Sequence, residues 1–193
     1  ILKGCHYKGG FDCVAIYLRN NPESRFFSKK GLILGGSHSP SPLNSEAHQG
    51  DLSAVLLQNL NPLVNLIRVP KKPIILMDEW ESKIKAIVEN TWNKDVNSLS
   101  GVPSWMLVLI KAVLKKTGRE YLTDVWPNLE VFFHGGISFE PYREQYKTLI
   151  PSNKMHYMET YNASEGFFGL QDDPTDPSLL MMPDYGIFYE FIP

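Results

Sequence analysis

Apolar residues recur along the chain at two spacings, and the alternation between them sets the expected architecture. In "FDCVAIYLRNNP", Phe11, Val14, Ala15 and Leu18 fall at helical spacing, and Pro22 closes the element. "GLILGG" is a short apolar run ended by a glycine pair, the pattern of a buried strand. "SHSPSPLNSEAHQG" reads as a loop from its Ser, Pro and Gly content, and "DLSAVLLQNL" as a short helix capped by Asp51. A longer helix begins at "DEWESKIKAIVENTW". Asp78 can cap it, Glu81 three residues on completes a capping box, and Trp80, Ile84, Ile87 and Val88 form the apolar stripe. "VNSLSG" reads as a strand, after which Pro103 opens "PSWMLVLIKAVLKKTG" and Gly118 ends it. "LEVFFHGG" is a strand with a second glycine pair, "EPYREQYKTLI" another Pro-started helix, and "KMHYMETY" the next strand. "FFGLQ", "SLLMM" and "YGIFYEFI" read as short strands separated by Pro and Asp turns.

Strands alternating with helices predict an α/β fold, a mostly parallel sheet flanked by helices with a short antiparallel C-terminal part. In such sheets ligands bind beyond the carboxyl ends of the strands. Three segments end there with chemistry-prone residues: Gly101-Val102-Pro103, His134-Gly135-Gly136, and Tyr161 through Gly166. No internal repeat or low-complexity segment divides the chain, so residues 1–193 read as one domain. The sequence stops at "YEFIP" in the middle of a strand pattern, which predicts an internal fragment of a longer protein.

Composition narrows the function classes. The net charge of −2 is spread without a long run of one sign, which argues against a nucleic-acid partner or a polybasic membrane surface. The longest apolar runs, "WMLVLI" and "PIILM", are far shorter than the roughly 20 residues of a bilayer span. Cys5 and Cys13 are the only cysteines, and a cytoplasmic protein with reduced thiols is the expectation.

The chemistry concentrates in "METYNASEGFFG". Ser164 could be the nucleophile of a G-x-S-x-G elbow, with Asn162 in place of the first glycine. No histidine follows His156, however, and Gly166-Phe167-Phe168-Gly169 is a poor helix start, so the hydrolase order fails. Glu159 and Glu165 could be a glycosidase pair, but nothing else suggests a sugar cleft. A nucleotide site uses more of the residues. Ser164 can donate to a phosphate oxygen, Glu165 can hold a magnesium ion on it, and Tyr161 offers a flat face to a purine. Gly135 and Gly136, on a neighbouring strand end, would let main chain approach the same ring.

"LEVFFHGGISFEPYREQYKTLIP" followed by "METYNASEGFFG", with "LSGVPSWM" upstream, closely resembles the bacterial branch of the auxin-responsive Gretchen Hagen family of acyl-acid amido synthetases. That family belongs to the acyl-adenylate-forming superfamily. The resemblance covers nearly the whole chain, and its most specific part is the Tyr-x-x-Ser-Glu elbow of Tyr161, Ser164 and Glu165, where Asn162 and Ala163 fill the looser positions. It implies ATP and Mg2+ as cofactors, with Ser164 and Glu165 catalytic, Glu165 also the metal ligand, and Tyr161, Asn162, Ser164, Gly135 and Gly136 binding the nucleotide. A small carboxylic acid and an amino acid or other amine are the implied partners. The place of Val102, Trp105, Phe167 and Phe168 beside the strand ends nominates them for the acyl pocket.

Thioester formation on coenzyme A, and a non-catalytic binding module, are the alternatives. The family's upstream Ser/Thr/Gly phosphate loop and downstream Tyr-Arg-x-Gly-Asp motif are absent from the 193 residues, as is a C-terminal lobe. The chain alone is therefore expected to fold, to bind ATP weakly, not to catalyse, and to expose an apolar patch open to dimer contacts.

Overall fold

The computed structural model describes residues 2–40 and 48–192. A π-helical turn, Leu2–Tyr7, leads into α1, Lys8–Asn20. There follow β1 (Lys30–Ile33), β2 (His38–Pro40), β3 (His48–Gly50), α2 (Leu52–Gln58), β4 (Arg68–Val69), α3 (Lys72–Ile75) and α4 (Trp80–Thr91). The second half contains β5 (Val96–Gly101), α5 (Pro103–Thr117), α6 (Leu122–Val125), β6 (Val131–Gly135), α7 (Arg143–Leu149), β7 (His156–Ala163), β8 (Gly166–Leu170) and β9 (Leu180–Met181).

Seven strands form one sheet in the order β4-β1-β5-β6-β7-β8-β9. The first five are parallel, while β8 and β9 run antiparallel. The α/β expectation holds in both parts. The main core packs α4, α5 and α7 on one face: Ile84, Ile87, Met106, Ile110, Val113 and Tyr146 meet Leu32, Leu99 and Phe132. The opposite face carries α1, which covers Val131, Met158, Phe167 and Leu170 through Cys13 and Tyr17.

Helix ends follow their local chemistry. Pro103 begins α5, where a missing N–H costs nothing, and Gly118 ends it with φ +66°, a left-handed conformation glycine adopts without a Cβ clash. The cap of α4 lies one residue later than expected. Glu79, and not Asp78, accepts from the amides of Glu81 (2.9 Å) and Ser82 (2.7 Å), while Asp78 accepts from Glu79 N–H. Asp51 stands at the N-cap of α2, but its carboxylate accepts from Ser37 N–H (3.1 Å) and caps nothing.

Three further expectations are corrected. The buried face of α1 is Gly9, Cys13 and Tyr17, and Phe11 is 71% exposed. Gly9 decides this rotation: a Cβ there would collide with the Phe167 ring, so the helix seats its smallest residue on the sheet. The expected loop at 37–50 includes a two-stranded ribbon, β2 with β3, and its residues 41–47 lie outside the described part. "YGIFYEFI" forms no strand. Phe188 and Phe191 stay exposed there, and Tyr189 stacks on Phe191.

Candidate functional site

The carboxyl edge of the parallel strands collects the residues singled out by the sequence. Gly101 of β5, His134 of β6 and Glu159 of β7 lie in register across the sheet, and Gly135 pairs with Thr160. Beyond Gly135, β7 runs on through Tyr161, Asn162 and Ala163, turns at Ser164-Glu165, and returns as β8. The elbow is thus a two-residue hairpin turn that projects past the neighbouring strand end. Ser164 and Glu165 are both exposed, and neither side chain is hydrogen-bonded or ion-paired to a described residue. A hydroxyl and a carboxylate are therefore free for a ligand.

A register shift between Tyr161 and Asn162 re-aims the strand end. Tyr161 is 58% exposed, with its ring centroid 5.0 Å from that of Phe168. The pair offers an aromatic surface, while Asn162 is half-buried beside the turn. Phe167 points to the other face. Its ring is buried with Cys5, Cys13, Leu170 and Tyr185, and its N–H donates to Cys5 Sγ at 2.9 Å. The sequence nominated Phe167 for the pocket wall, but alternation along β8 turns it into the core and leaves only Phe168 on the open side.

The glycine pair has its own physical reasons. A Cβ on Gly135 would collide with the Thr160 carbonyl of the adjacent strand, and Gly136 adopts φ +84°. Gly136 faces Val102, whose Cγ2 is 3.5 Å from where a side chain would begin. Val102 and the glycine pair therefore share one spot. Trp105, on the first turn of α5, is 42% exposed and packs on Trp80 with centroids 5.4 Å apart.

Several polar groups are buried near this edge. Lys83, on the buried face of α4, donates to the carbonyls of Gly35 (2.7 Å) and Gly36 (2.9 Å), where β1 ends, and burial lowers its pKa. Nothing in the sequence marks it off from Lys85, which is exposed on the same helix. His6 is buried beneath the hairpin turn, with the Ser164 carbonyl alongside, although neither ring nitrogen has a well-formed hydrogen bond. Burial lowers its pKa too. His134 is buried and stacked on Phe139 at 4.3 Å, its pKa pushed down to about 3 by burial and by Arg143. Both cysteines are free and buried, and burial raises the Cys13 thiol to about 12, which makes it inert.

Glu159 and Glu165 do not form a glycosidase pair. Six residues apart along a strand and its turn, at about 3.3 Å each, they stand well beyond the 5–9.5 Å such pairs need. Two open concavities lie at the opposite, amino edge: one of about 440 Å3 lined by Asn20, Arg25, Glu130 and His156, another of about 590 Å3 beside Trp92 and Lys116. They lack the converging strand ends that make a ligand edge. Among the described residues no three His, Cys, Asp or Glu side chains converge as a metal cage. A lone carboxylate beside a hydroxyl suits Mg2+, which keeps its waters and takes most other ligands from phosphate oxygens. Among the described residues, no helix is long and apolar enough to cross a membrane.

Fold and edge define an open α/β sheet protein with an exposed Ser-Glu turn beyond the carboxyl ends of its parallel strands. Its particular relatives follow from comparison. The GH3 family N-terminal domain matches residues 4–155, and the chain belongs to that family, the auxin-responsive acyl-acid amido synthetases. The match takes in the glycine pair and Val102, and ends just before β7. No curated protein matches the chain.

Proposed function

We propose that the full-length protein containing this chain activates a carboxylic acid with ATP as an acyl-adenylate and passes the acyl group to the amine of an amino acid. The observation that carries this reading is the exposed, unpartnered Ser164-Glu165 turn beside Tyr161, at the carboxyl edge of a GH3-family sheet. Ser164 donates its hydroxyl to the α-phosphate. Glu165 would hold Mg2+, whose charge would offset that of the phosphate. Tyr161 and Asn162 flank the adenine, and Gly135 and Gly136 bring main chain to its edge. Positioning and electrostatics of this kind supply most of the rate in such transfers. Val102, beside Gly136, and Phe168, beside Tyr161, border the acyl group.

Acid-dependent exchange of pyrophosphate into ATP tests the activation step in the full-length protein, and an amide product, as opposed to a thioester, tests the acceptor. Absence of exchange with a broad panel of aryl, arylacetic and fatty acids would refute the reading. Trp105 supplies a subordinate test. Trp105→Ala is expected to change the ranking of acids in that panel by a factor on the order of 10, if the indole borders the acyl group. An unchanged ranking would assign Trp105 wholly to its stack on Trp80.

A further inference from the structure

β9 pairs with Gly169 and Leu170 of β8 and goes no further. Gly166, Phe167 and Phe168, next to the hairpin turn, therefore lack a strand on that edge among the described residues. The segment after β9 takes the place of one. Met182 N–H donates to the Phe168 carbonyl at 2.9 Å. Tyr185 packs its ring on Phe167 with centroids 6.0 Å apart, and its hydroxyl donates to the Asp12 carboxylate of α1. Gly186 then turns the backbone with φ +76°. Ile187 lies against Gly166, so closely that a Cβ on the glycine would collide with its side chain. Tyr189 closes the run, its ring edge-on to Phe168 at 6.4 Å and its hydroxyl donating to the Met182 carbonyl at 3.4 Å.

Residues 182–189 thus form a strap along the free edge of β8. Phe167 faces the core and Phe168 the open side, so the strap holds both faces of the strand. The turn itself projects past β6, and a two-stranded hairpin is marginally stable alone, so its direction is set by what packs beside it. Behind Gly166 that is Ile187, with Cys5 Sγ 3.5 Å from where a Cβ would begin. On the open face, Phe168 is the one ring packed on Tyr161 among the described residues, and Tyr189 packs on Phe168 in turn.

We propose that this strap is the positioning device of the nucleotide site. Ile187 fixes where the turn presents the Ser164 hydroxyl and the Glu165 carboxylate. Tyr189, through Phe168, fixes the plane of the Tyr161 ring that meets the base. Both are positioning residues that act through the residues they pack on, and the inference rests on the reading of the Ser164-Glu165 turn as the adenylate site. The two contacts bear on different steps. A turn that has lost Ile187 still leaves the base its aromatic face, but the groups aimed at the α-phosphate lose alignment, which costs rate more than affinity. An unanchored Tyr161 ring weakens ATP binding equally in ground and transition states, which raises KM at constant kcat.

In the full-length protein, calorimetry measures ATP affinity, acid-dependent pyrophosphate exchange measures kcat and the ATP KM, and urea unfolding records stability. Tyr189→Leu should raise Kd and KM for ATP about fivefold, the size of one aromatic pair contact, with kcat within about twofold. Tyr189→Phe should keep wild-type values, since the ring and not the hydroxyl meets Phe168. Ile187→Ala should lower kcat on the order of tenfold while Kd stays within about twofold. Amide hydrogen exchange over residues 161–168 should quicken in Ile187→Ala, a readout that needs no ATP. Wild-type ATP affinity in Tyr189→Leu, or a stability loss in either variant with kcat, KM and Kd unchanged, would overturn the inference and leave the strap as packing. The same drop in both kcat and affinity for the two variants would overturn it too, as a general loosening of the fold. A wild type that neither binds ATP nor exchanges pyrophosphate would refute the adenylate reading itself, and the strap's part in the site with it.

Discussion

Replacing Glu165 with alanine in the full-length protein is expected to lower acid-dependent pyrophosphate exchange by about 10²-fold or more. The hairpin turn itself should survive, because its backbone pairing runs through Ala163 and Gly166 and the Glu165 side chain supports nothing else. The loss should appear mainly in kcat if the carboxylate places a metal on charge that develops as the phosphoanhydride breaks. Glu165→Asp keeps the charge but shortens the reach, and should need more Mg2+ for half-maximal exchange. Ser164→Ala removes one neutral donor, so its loss should be smaller, about tenfold. Equal exchange rates in wild type and Glu165→Ala would take Glu165 out of the mechanism and leave the turn a structural hairpin.

The turn was readable because its composition has few other uses. Two polar residues between an aromatic strand and a Gly-Phe-Phe run can only be a turn, and parallel strands upstream put that turn on the ligand edge. Pro103 and Gly118 fixed both ends of α5 for similarly local reasons. The misread positions share a different cause, which is contact across long sequence separation. The buried face of α1 is chosen by Gly9 meeting Phe167, a pairing that periodicity within the helix cannot reveal. Phe11 and Val14 fit the helical spacing as well as Cys13 and Tyr17 do, and only the sheet below decides between them. Lys83 is buried because two carbonyls at the end of β1 need donors there. "YGIFYEFI" has the composition of a strand, but a strand needs a neighbour, and β9 pairs only with β8 among the described residues.

His134 gives the largest expected stability effect. Burial, with Arg143 nearby, holds its pKa at about 3, against 6.5 for the ordinary side chain. The unfolded chain therefore takes up a proton as pH falls below 6.5, while the native state refuses it until about pH 3. Stability from this group is complete above pH 6.5, drains away as pH falls from 6.5 to 3, and is level below. At about 1.36 kcal/mol per tenfold change, the loss amounts to roughly 3–5 kcal/mol. Phe132 (5.2 Å) and Phe139 (4.3 Å) pack on the ring, and Arg143 is the charged group beside it, so no neighbouring carboxylate enters the His134 difference. His134→Leu is the discriminating substitution. It has similar bulk, removes an Nδ1 that is buried without a partner, and keeps the backbone carbonyl that accepts from Thr160 Oγ1 at 3.1 Å. At pH 7 the variant should match the wild type to within about 1 kcal/mol, since an unpaired buried polar atom gives way to an apolar one. At pH 4 it should be the more stable protein by about 2–3 kcal/mol, because the unfolded variant has no imidazole to protonate. Urea unfolding of both proteins at the two pH values measures the difference, and parallel losses on acidification would show that His134 is already protonated, or already exposed, in the native state.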